Sequence, residues 1–274
     1  MTGLKATIDG MVFLRDFDFA QPLNLESGFN PASPQVKMTM SARQSMPDFH
    51  LSFNVAPVLK KVVKNRERIF DALGEKLSDC VFAEQTHSSE VAIVTNEDRG
   101  KGVFSPETAI PGCDALITNV SKLNLCITVA DCLPIYFFDP ENRAIGLAHS
   151  GWGGTAGRIA QRTLTAMHDA FGTNPKYCRV AIGPGIGGDG YEVDDRVRDA
   201  FPEPERSGEG FRQSRPGHWK LDLTQIVREQ LLTAGIPTEN ISVSPWRTDA
   251  DPQILNSHRR ENGCPRMLAM LKLT

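Results

Sequence analysis

Three short segments hold the side chains best suited to chemistry: Gln85-Thr86-His87, Ala130-Asp131-Cys132-Leu133-Pro134 and Ala148-His149-Ser150-Gly151-Trp152. Each follows an apolar run and precedes a turn, where a side chain can leave a sheet and meet groups from distant sequence. His87, Cys132 and His149 can supply three ligands of a catalytic zinc and leave a fourth position for water or substrate. Imidazole and thiolate suit that borderline-soft ion. Separations of 45 and 17 residues match no zinc-finger spacing, so a structural finger is excluded. Two other readings fit the same residues. Cys132 can be a buried thiol, with both histidines hydrogen-bonded to backbone in loops. Alternatively, Cys132 can be a nucleophile activated by His149. A thiolate held by zinc is not free to attack, so the two active readings exclude each other.

Other features invite a role with less force. Gly183-Pro184-Gly185-Ile186-Gly187-Gly188 has the bare spacing of a dinucleotide loop, but Asp189-Gly190-Tyr191 follows where the pyrophosphate-binding helix should begin, and a dinucleotide fold is rejected. Gly151-Trp152-Gly153-Gly154-Thr155 leads into an expected helix, so its N–H groups can hold an anion or simply turn the chain. Arg259, Arg260 and Arg266 gather guanidinium groups before the last apolar run, suited to phosphate or carboxylate, or else to surface ion pairs. His50, His168 and His218 gain no role.

These residues need a sheet to present them. Short β-rich runs are expected at Val81–Ala83, Val91–Thr95, Ala115–Thr118 and Leu123–Ala130, with a hairpin of Ile135–Phe138 and Ala144–Ala148 around Asp139-Pro140-Glu141-Asn142. Further strands fall near Arg179–Ile182, Ile241–Ser244 and Met267–Leu273. Apolar spacing predicts helices over Pro57–Leu73, with Val58, Leu59, Val62, Val63, Ile69, Phe70 and Leu73 on one face, over Thr155–Phe171, and over Leu223–Ala234. Strands come in runs with helices interspersed, which makes the fold α+β with mixed sheets packed against helices. The stretch from Pro202 to Pro216 reads as a surface loop, and residues 1–274 form one domain.

The 274 residues are 40% hydrophobic and 23% charged, enough apolar content for a core, which excludes disordered and fibrous classes. A net charge of -3 lacks the basic excess of a nucleic-acid binder. No apolar run approaches the roughly 18–20 residues of a membrane span. Met1 to Asp16 lacks the pattern of a signal peptide, so a cytoplasmic protein without membrane contact is expected. The six cysteines (Cys80, Cys113, Cys126, Cys132, Cys178, Cys264) include no Cys-x-x-Cys pair and read as thiols.

Taken together, the segments resemble the YfiH/YlmD-type family, the laccase-like multicopper polyphenol oxidases with purine-metabolic relatives. The likeness runs from about residue 40 onward. It rests on Gln85-Thr86-His87, Asp114-Ala115-Leu116, Thr128 to Pro134, Ala148 to Trp152, Ile182 to Gly187, Tyr191-Glu192-Val193 and Ser257-His258-Arg259-Arg260. The resemblance implies a YfiH-like single domain with His87, Cys132 and His149 as zinc ligands; copper is the second choice of metal. It also implies phosphorolysis of adenosine, inosine or methylthioadenosine to base and sugar 1-phosphate, with adenosine deamination as a second activity. The substrates would be a purine nucleoside and phosphate. Asp131 is then the nearest carboxylate for proton handling, beside Cys132, and Arg43, Arg259, Arg260 and Arg266 are candidates for phosphate or substrate anion. The chain departs from the family pattern at Gly153, His258, Pro265 and Arg247, where Arg, Tyr, Gly and Cys are usual. A multicopper oxidase would need roughly eight imidazoles; this chain has six histidines and no His-x-His pair. Two further alternatives are an amide hydrolase that edits a peptidoglycan precursor, which would suit the Cys-His reading, and a metal-binding protein without turnover.

Overall fold

The computed structural model describes the backbone of residues 4–8 and 11–15, and residues 36–43 and 49–274 in full. The Met1–Asp16 segment considered for a leader lies partly outside the described residues. In chain order the elements are β1 (Leu4–Ile8), β2 (Met11–Arg15), β3 (Val36–Ser41), α1 (Leu59–Leu73), β4 (Cys80–Phe82), β5 (Val91–Ile93), β6 (Ala115–Thr118), β7 (Asn124–Val129), β8 (Leu133–Asp139), β9 (Ala144–Ser150), α2 (Trp152–Ala156) and α3 (Ile159–Phe171). They continue with β10 (Arg179–Ile182), β11 (Glu192–Asp194), α4 (Asp195–Asp199), β12 (Phe211–Arg215), β13 (His218–Leu221), α5 (Leu223–Thr233), β14 (Ile241–Val243), α6 (His258–Glu261) and β15 (Met267–Leu273). The architecture is α+β, as the run of strands and helices implies.

Among the described residues, two six-stranded mixed sheets carry the fold, in the orders β1-β2-β3-β15-β7-β4 and β14-β10-β8-β9-β6-β5; a small sheet, β11-β13-β12, is attached. Alternation along the strands explains how the large sheets stack. Leu125, Ile127 and Val129 of β7 join Tyr136 and Phe138 of β8 in one buried cluster between the sheets, while Cys126 faces the other way, toward Ile69 and Phe70 of α1. On the outer face of the second sheet, Ile135 and Phe137 pack with Leu164 and Met167 of α3 and Ile226 and Leu231 of α5. The layers are therefore helix, sheet, sheet, helix. Strands β8, β9 and β15 are buried along their whole length, which accounts for their nearly unbroken apolar sequences. Each large side chain taken out of water here stabilises the fold by about 1.5–3 kcal/mol.

Local chemistry fixes the connections. The Asp139 carboxylate accepts from the N–H groups of Glu141 and Asn142 at 2.9 and 3.1 Å, turning β8 back into β9. Gly74 and Gly172 end α1 and α3 in the left-handed region at φ of 66° and 76°.

Three expectations are corrected. The helix expected from Thr155 to Phe171 is broken: α2 ends at Ala156, and Arg158, at φ 59°, redirects the chain before α3. Close packing on Ser89 calls for glycine at the break, since a Cβ on Gly157 would lie 2.9 Å from Ser89. Val58 and Leu59 are exposed rather than inward. Arg66 occupies the buried face of α1 instead, with its Nη1 donating to the carbonyls of Gly102 and Val103 at 2.6 and 2.8 Å and its guanidinium 3.7 Å from the centre of the Phe82 ring. Finally, the stretch from Pro202 to Pro216 is only partly a loop. Phe211–Arg215 pairs antiparallel with His218–Leu221, and Phe211 packs edge-on to buried Phe201. The turn signal, Pro216 followed by Gly217 at φ 73°, lies at the very end of the stretch that read as loop.

Candidate metal centre

The three reactive segments meet at one end of the sheets. Strand β4 runs parallel to β7, and beyond its end the Gln85 side chain continues the pairing, its amide donating to the Thr128 carbonyl at 2.8 Å and accepting from the Thr128 N–H at 2.8 Å. This side-chain rung holds the loop that presents His87, itself in the left-handed region at φ 60°. Asp131, at φ 83°, turns β7 into β8, placing Cys132 one residue before the first β8–β9 pair, Leu133 opposite Ser150. His149 lies within β9, next to the Ala115–Ala148 pair, and donates its N–H to the Asp114 carbonyl at 2.7 Å.

The ligand atoms of His87, Cys132 and His149 all lie within 4.8 Å of one another, and this is the one such group of three or more found among the described residues. The two imidazoles meet edge to face, with centroids 5.0 Å apart. His149 is buried, Cys132 half-buried and His87 exposed, so the group opens toward solvent on the His87 side.

Behind His149 stands Asp114, wholly buried. Its Oδ1 lies 2.7 Å from His149 Nδ1, while its Oδ2 accepts from the N–H of Thr86 at 3.0 Å and of Ser88 at 2.7 Å. One carboxylate thereby fixes both histidine-bearing segments. With Nδ1 committed to Asp114, Nε2 is the His149 atom left for a metal, the arrangement that orients imidazole ligands and raises their basicity.

The electrostatics agree with a thiolate ligand. Burial alone would raise the Cys132 thiol, but the His149 charge and hydrogen bonds from His149 and His87 outweigh it and bring the pKa down to about 6. Burial alone would lower His149, yet the Cys132 thiolate and Asp114 lift it to about 9. Asp114 is held below the usual carboxylate range, because the His149 and Ser88 interactions exceed its desolvation. The donor set, the braced imidazole and the open side fit zinc. Space is tight: a Cβ on Gly151 would lie 2.9 Å from Cys132 Sγ.

Asp131 sits beside this group with each carboxylate oxygen engaged: Oδ1 by the Thr248 hydroxyl at 2.5 Å, Oδ2 by the Arg259 N–H at 2.6 Å. The Arg259 guanidinium donates to the Glu192 carbonyl at 3.0 Å and stacks 4.9 Å from the Tyr191 ring centre. Arg260 points elsewhere. It donates to the carbonyls of Thr248 and Leu255 and pairs with Glu261, which also takes Arg43. Arg266 donates to the Cys264 carbonyl at 3.0 Å and immediately precedes β15, whose first residue, Met267, pairs with Val129. Of the four arginines, Arg259 is the one tied to Asp131 and to Tyr191, whose hydroxyl, raised chiefly by burial to about 12, also feels the Cys132 charge.

The glycine runs serve packing. Cβ atoms would meet Pro134 at 2.7 Å from Gly183 and the Asp131 carbonyl at 2.9 Å from Gly185, so this loop lies directly on the β7–β8 turn. A Cβ on Gly153 would stand 3.1 Å from the His87 carbonyl, and one on Gly154 3.0 Å from that of Ser88. The sequence reading named Asp114 only within the segment Asp114-Ala115-Leu116, without a role, and did not single out Thr248. For Asp114 a signal existed: a lone carboxylate opening the apolar run Ala115–Thr118, where a buried charge requires partners. Thr248 carried none.

The chain is similar to known proteins over most of its length. It is 39% identical over 203 residues to purine nucleoside phosphorylase YlmD of Bacillus subtilis, covering 74% of this chain and 73% of that one. It is 30% identical over 233 residues to adenosine deaminase RL5 from an unknown prokaryotic organism, covering 84% and 87%. Its fold superposes on the crystal structure of Bacillus licheniformis hypothetical protein YfiH with a TM-score of 0.84 at 31% identity, over 97% of both chains. Residues 38–274 match the family described as multi-copper polyphenol oxidoreductase laccase, and the chain belongs to that family.

Proposed function

We propose that this protein is a zinc-dependent purine nucleoside enzyme that cleaves adenosine, inosine or methylthioadenosine with phosphate to the base and the sugar 1-phosphate, and deaminates adenosine as a second activity. The observation that carries the reading is the convergence of His87, Cys132 and His149 on one partly open point with Asp114 behind them. The relatives' names, purine nucleoside phosphorylase and adenosine deaminase, give that point its substrate class.

Zinc held there supplies Lewis acidity and lowers the pKa of water. The chain's own groups do the rest. Cys132 and the two imidazoles hold the ion, and Asp114 keeps His149 in the tautomer that leaves Nε2 free. Arg259, exposed and placed beside Tyr191, is suited to take the phosphate, because a guanidinium binds such an anion in bidentate fashion. Arg43 and Arg260, both on Glu261, serve the framework around it.

Copper oxidase chemistry has less support, since the single three-ligand group among the described residues offers no second cluster for further coppers. A second enzymatic reading draws on a specific observation: Asp114, His149 and Cys132 stand in the order acid, imidazole, thiol, the arrangement of a cysteine hydrolase acting on an amide such as that of a cell-wall precursor.

The test is incubation of zinc-loaded protein with adenosine and phosphate, with products identified by chromatography and mass spectrometry. Adenine with ribose 1-phosphate supports phosphorolysis, and inosine supports deamination. Unchanged adenosine overturns the reading in favour of the amide hydrolase or a metal-binding protein without turnover.

A further inference from the structure

We propose that Asp131 is a positioning residue, which sets the start of α6 against the Cys132 turn and so fixes the Arg259 guanidinium at the edge of the metal centre. The inference rests on the nucleoside–phosphate reading for the role given to Arg259, but its structural half stands apart from that reading.

Asp131 joins four parts of the chain that are far apart in sequence. Its main-chain carbonyl accepts from the Ile186 N–H at 2.9 Å, Oδ1 accepts from Thr248 Oγ1 at 2.5 Å, and Oδ2 accepts from the Arg259 N–H at 2.6 Å. The next residue in the chain is the ligand Cys132. Asp131 is buried and adopts φ 83°, a conformation non-glycine residues hold only where the surroundings enforce it. From the clamped N–H, the Arg259 side chain reaches the Glu192 carbonyl and the Tyr191 ring. A continuous line of contacts thus runs from the ligand turn to the guanidinium. The two carboxylate oxygens thus order the loops of Thr248 and Arg259, and the main-chain carbonyl orders that of Ile186.

The chemistry of asparagine separates the two roles. In Asp131→Asn the amide oxygen can accept from the Arg259 N–H, and the amide nitrogen can donate to Thr248 Oγ1, whose hydroxyl rotates to accept. The clamp survives and the titratable group is gone. In Asp131→Ala both are gone.

The experiment compares Asp131→Asn, Asp131→Ala, Arg259→Ala and the Asp131→Ala/Arg259→Ala double variant as zinc-loaded proteins. It measures zinc content, kcat and KM for inorganic phosphate with adenosine, and amide hydrogen exchange of residues 257–262. Expected is rescue by asparagine to within about tenfold of the parent rate. Asp131→Ala should raise KM for phosphate by about tenfold or more with zinc retained, and the double variant should be no worse than Arg259→Ala, the signature of residues acting as one unit. Exchange in 257–262 should accelerate in the alanine variant but not in the asparagine variant. Loss of about 10²-fold or more in Asp131→Asn with zinc retained would identify proton transfer instead and overturn the proposal. Unchanged exchange in Asp131→Ala would overturn it irrespective of any activity, so the clamp is tested even in a protein without phosphorolysis. Should Asp131→Ala not fold, Thr248→Val removes one contact of the clamp, and faster exchange in 257–262 is required of it too; unchanged exchange there counts against the proposal.

Discussion

Asp114 Oδ1 and His149 Nδ1 lie 2.7 Å apart in the buried interior behind the candidate metal centre, while the other oxygen of the same carboxylate holds the loop of His87 through the Ser88 N–H. Replacing Asp114 by Asn breaks this arrangement without changing its size. An amide nitrogen facing Nδ1 can only donate, which forces the His149 proton onto Nε2, the atom a metal needs; turned the other way, the amide loses the Ser88 contact. Asp114→Asn is expected to bind zinc about 10–100-fold more weakly, the usual cost of losing a carboxylate behind a histidine ligand. Competition with a chromophoric chelator measures it, and an unchanged affinity would remove Asp114 from the centre.

Cys132 separates ligand from bystander. Its thiol is held at about 6, so it is largely thiolate at neutral pH. Cys132→Ala is expected to lose stoichiometric zinc and the associated turnover together, because two imidazoles alone bind far less tightly than a set with thiolate. Elemental analysis of the purified variant decides the matter: one zinc per chain would refute the ligand assignment. The hydrolase reading makes a different demand, namely that parent protein stripped of metal gain rather than lose activity on an amide.

Much of the scaffold was legible because its elements answer to local rules. Ala115–Thr118 and Met267–Leu273 are strands with the bounds their apolar runs suggest, and Gly74 and Gly172 stop helices where a residue at positive φ is needed. The three segments of the candidate centre could be found because each couples a reactive side chain to a strand end. What escaped depends on contacts between distant segments. The break between α2 and α3 lies at Arg158, in the left-handed region, next to a glycine packed on Ser89, and Asp114 meets His149 only because β6 lies beside β9. Asp131 and the arginine cluster could be located but not sorted. Nothing in Arg259-Arg260 reveals that one guanidinium lies on Tyr191 and the other on the carbonyls of Thr248 and Leu255.

A pH effect on stability is expected away from the centre. Just beyond α1, Glu75 pairs with Lys272 of β15 at 2.5 Å and with Lys37 at 3.2 Å. Burial alone would raise its pKa, but the two lysines outweigh that and hold it below the usual glutamate value. The folded state therefore binds this proton less readily than the unfolded chain. The stabilisation is complete above the unfolded pKa of about 4.3 and is lost as pH falls through the lower folded value. Glu75→Gln should cost about 1.5 kcal/mol at pH 7, the low end for hydrogen bonds to a charged group because both partners keep some contact with water. Denaturant unfolding of both proteins at pH 7 and near pH 3 should show the gap narrowing toward acid; a gap that widened would contradict the sign.

Arg259 and Arg260 are neighbours in sequence but should fail in different ways. Arg260 satisfies the Thr248 and Leu255 carbonyls and shares Glu261 with Arg43, so Arg260→Gln strips charge-assisted hydrogen bonds from the loop that carries Thr248. It should lower stability by about 1.5–3 kcal/mol and depress phosphorolysis and deamination alike. Arg259→Gln retains the backbone N–H on Asp131 and removes only the guanidinium. It should leave the melting temperature nearly unchanged and weaken the phosphate-dependent reaction by about tenfold or more, the effect of deleting a charged contact to an anion. Deamination, which uses no phosphate, should change far less. Melting curves together with the two product assays on each variant test this contrast. Equal losses in both reactions for Arg259→Gln would make Arg259 a framework residue and leave the phosphate to another cation.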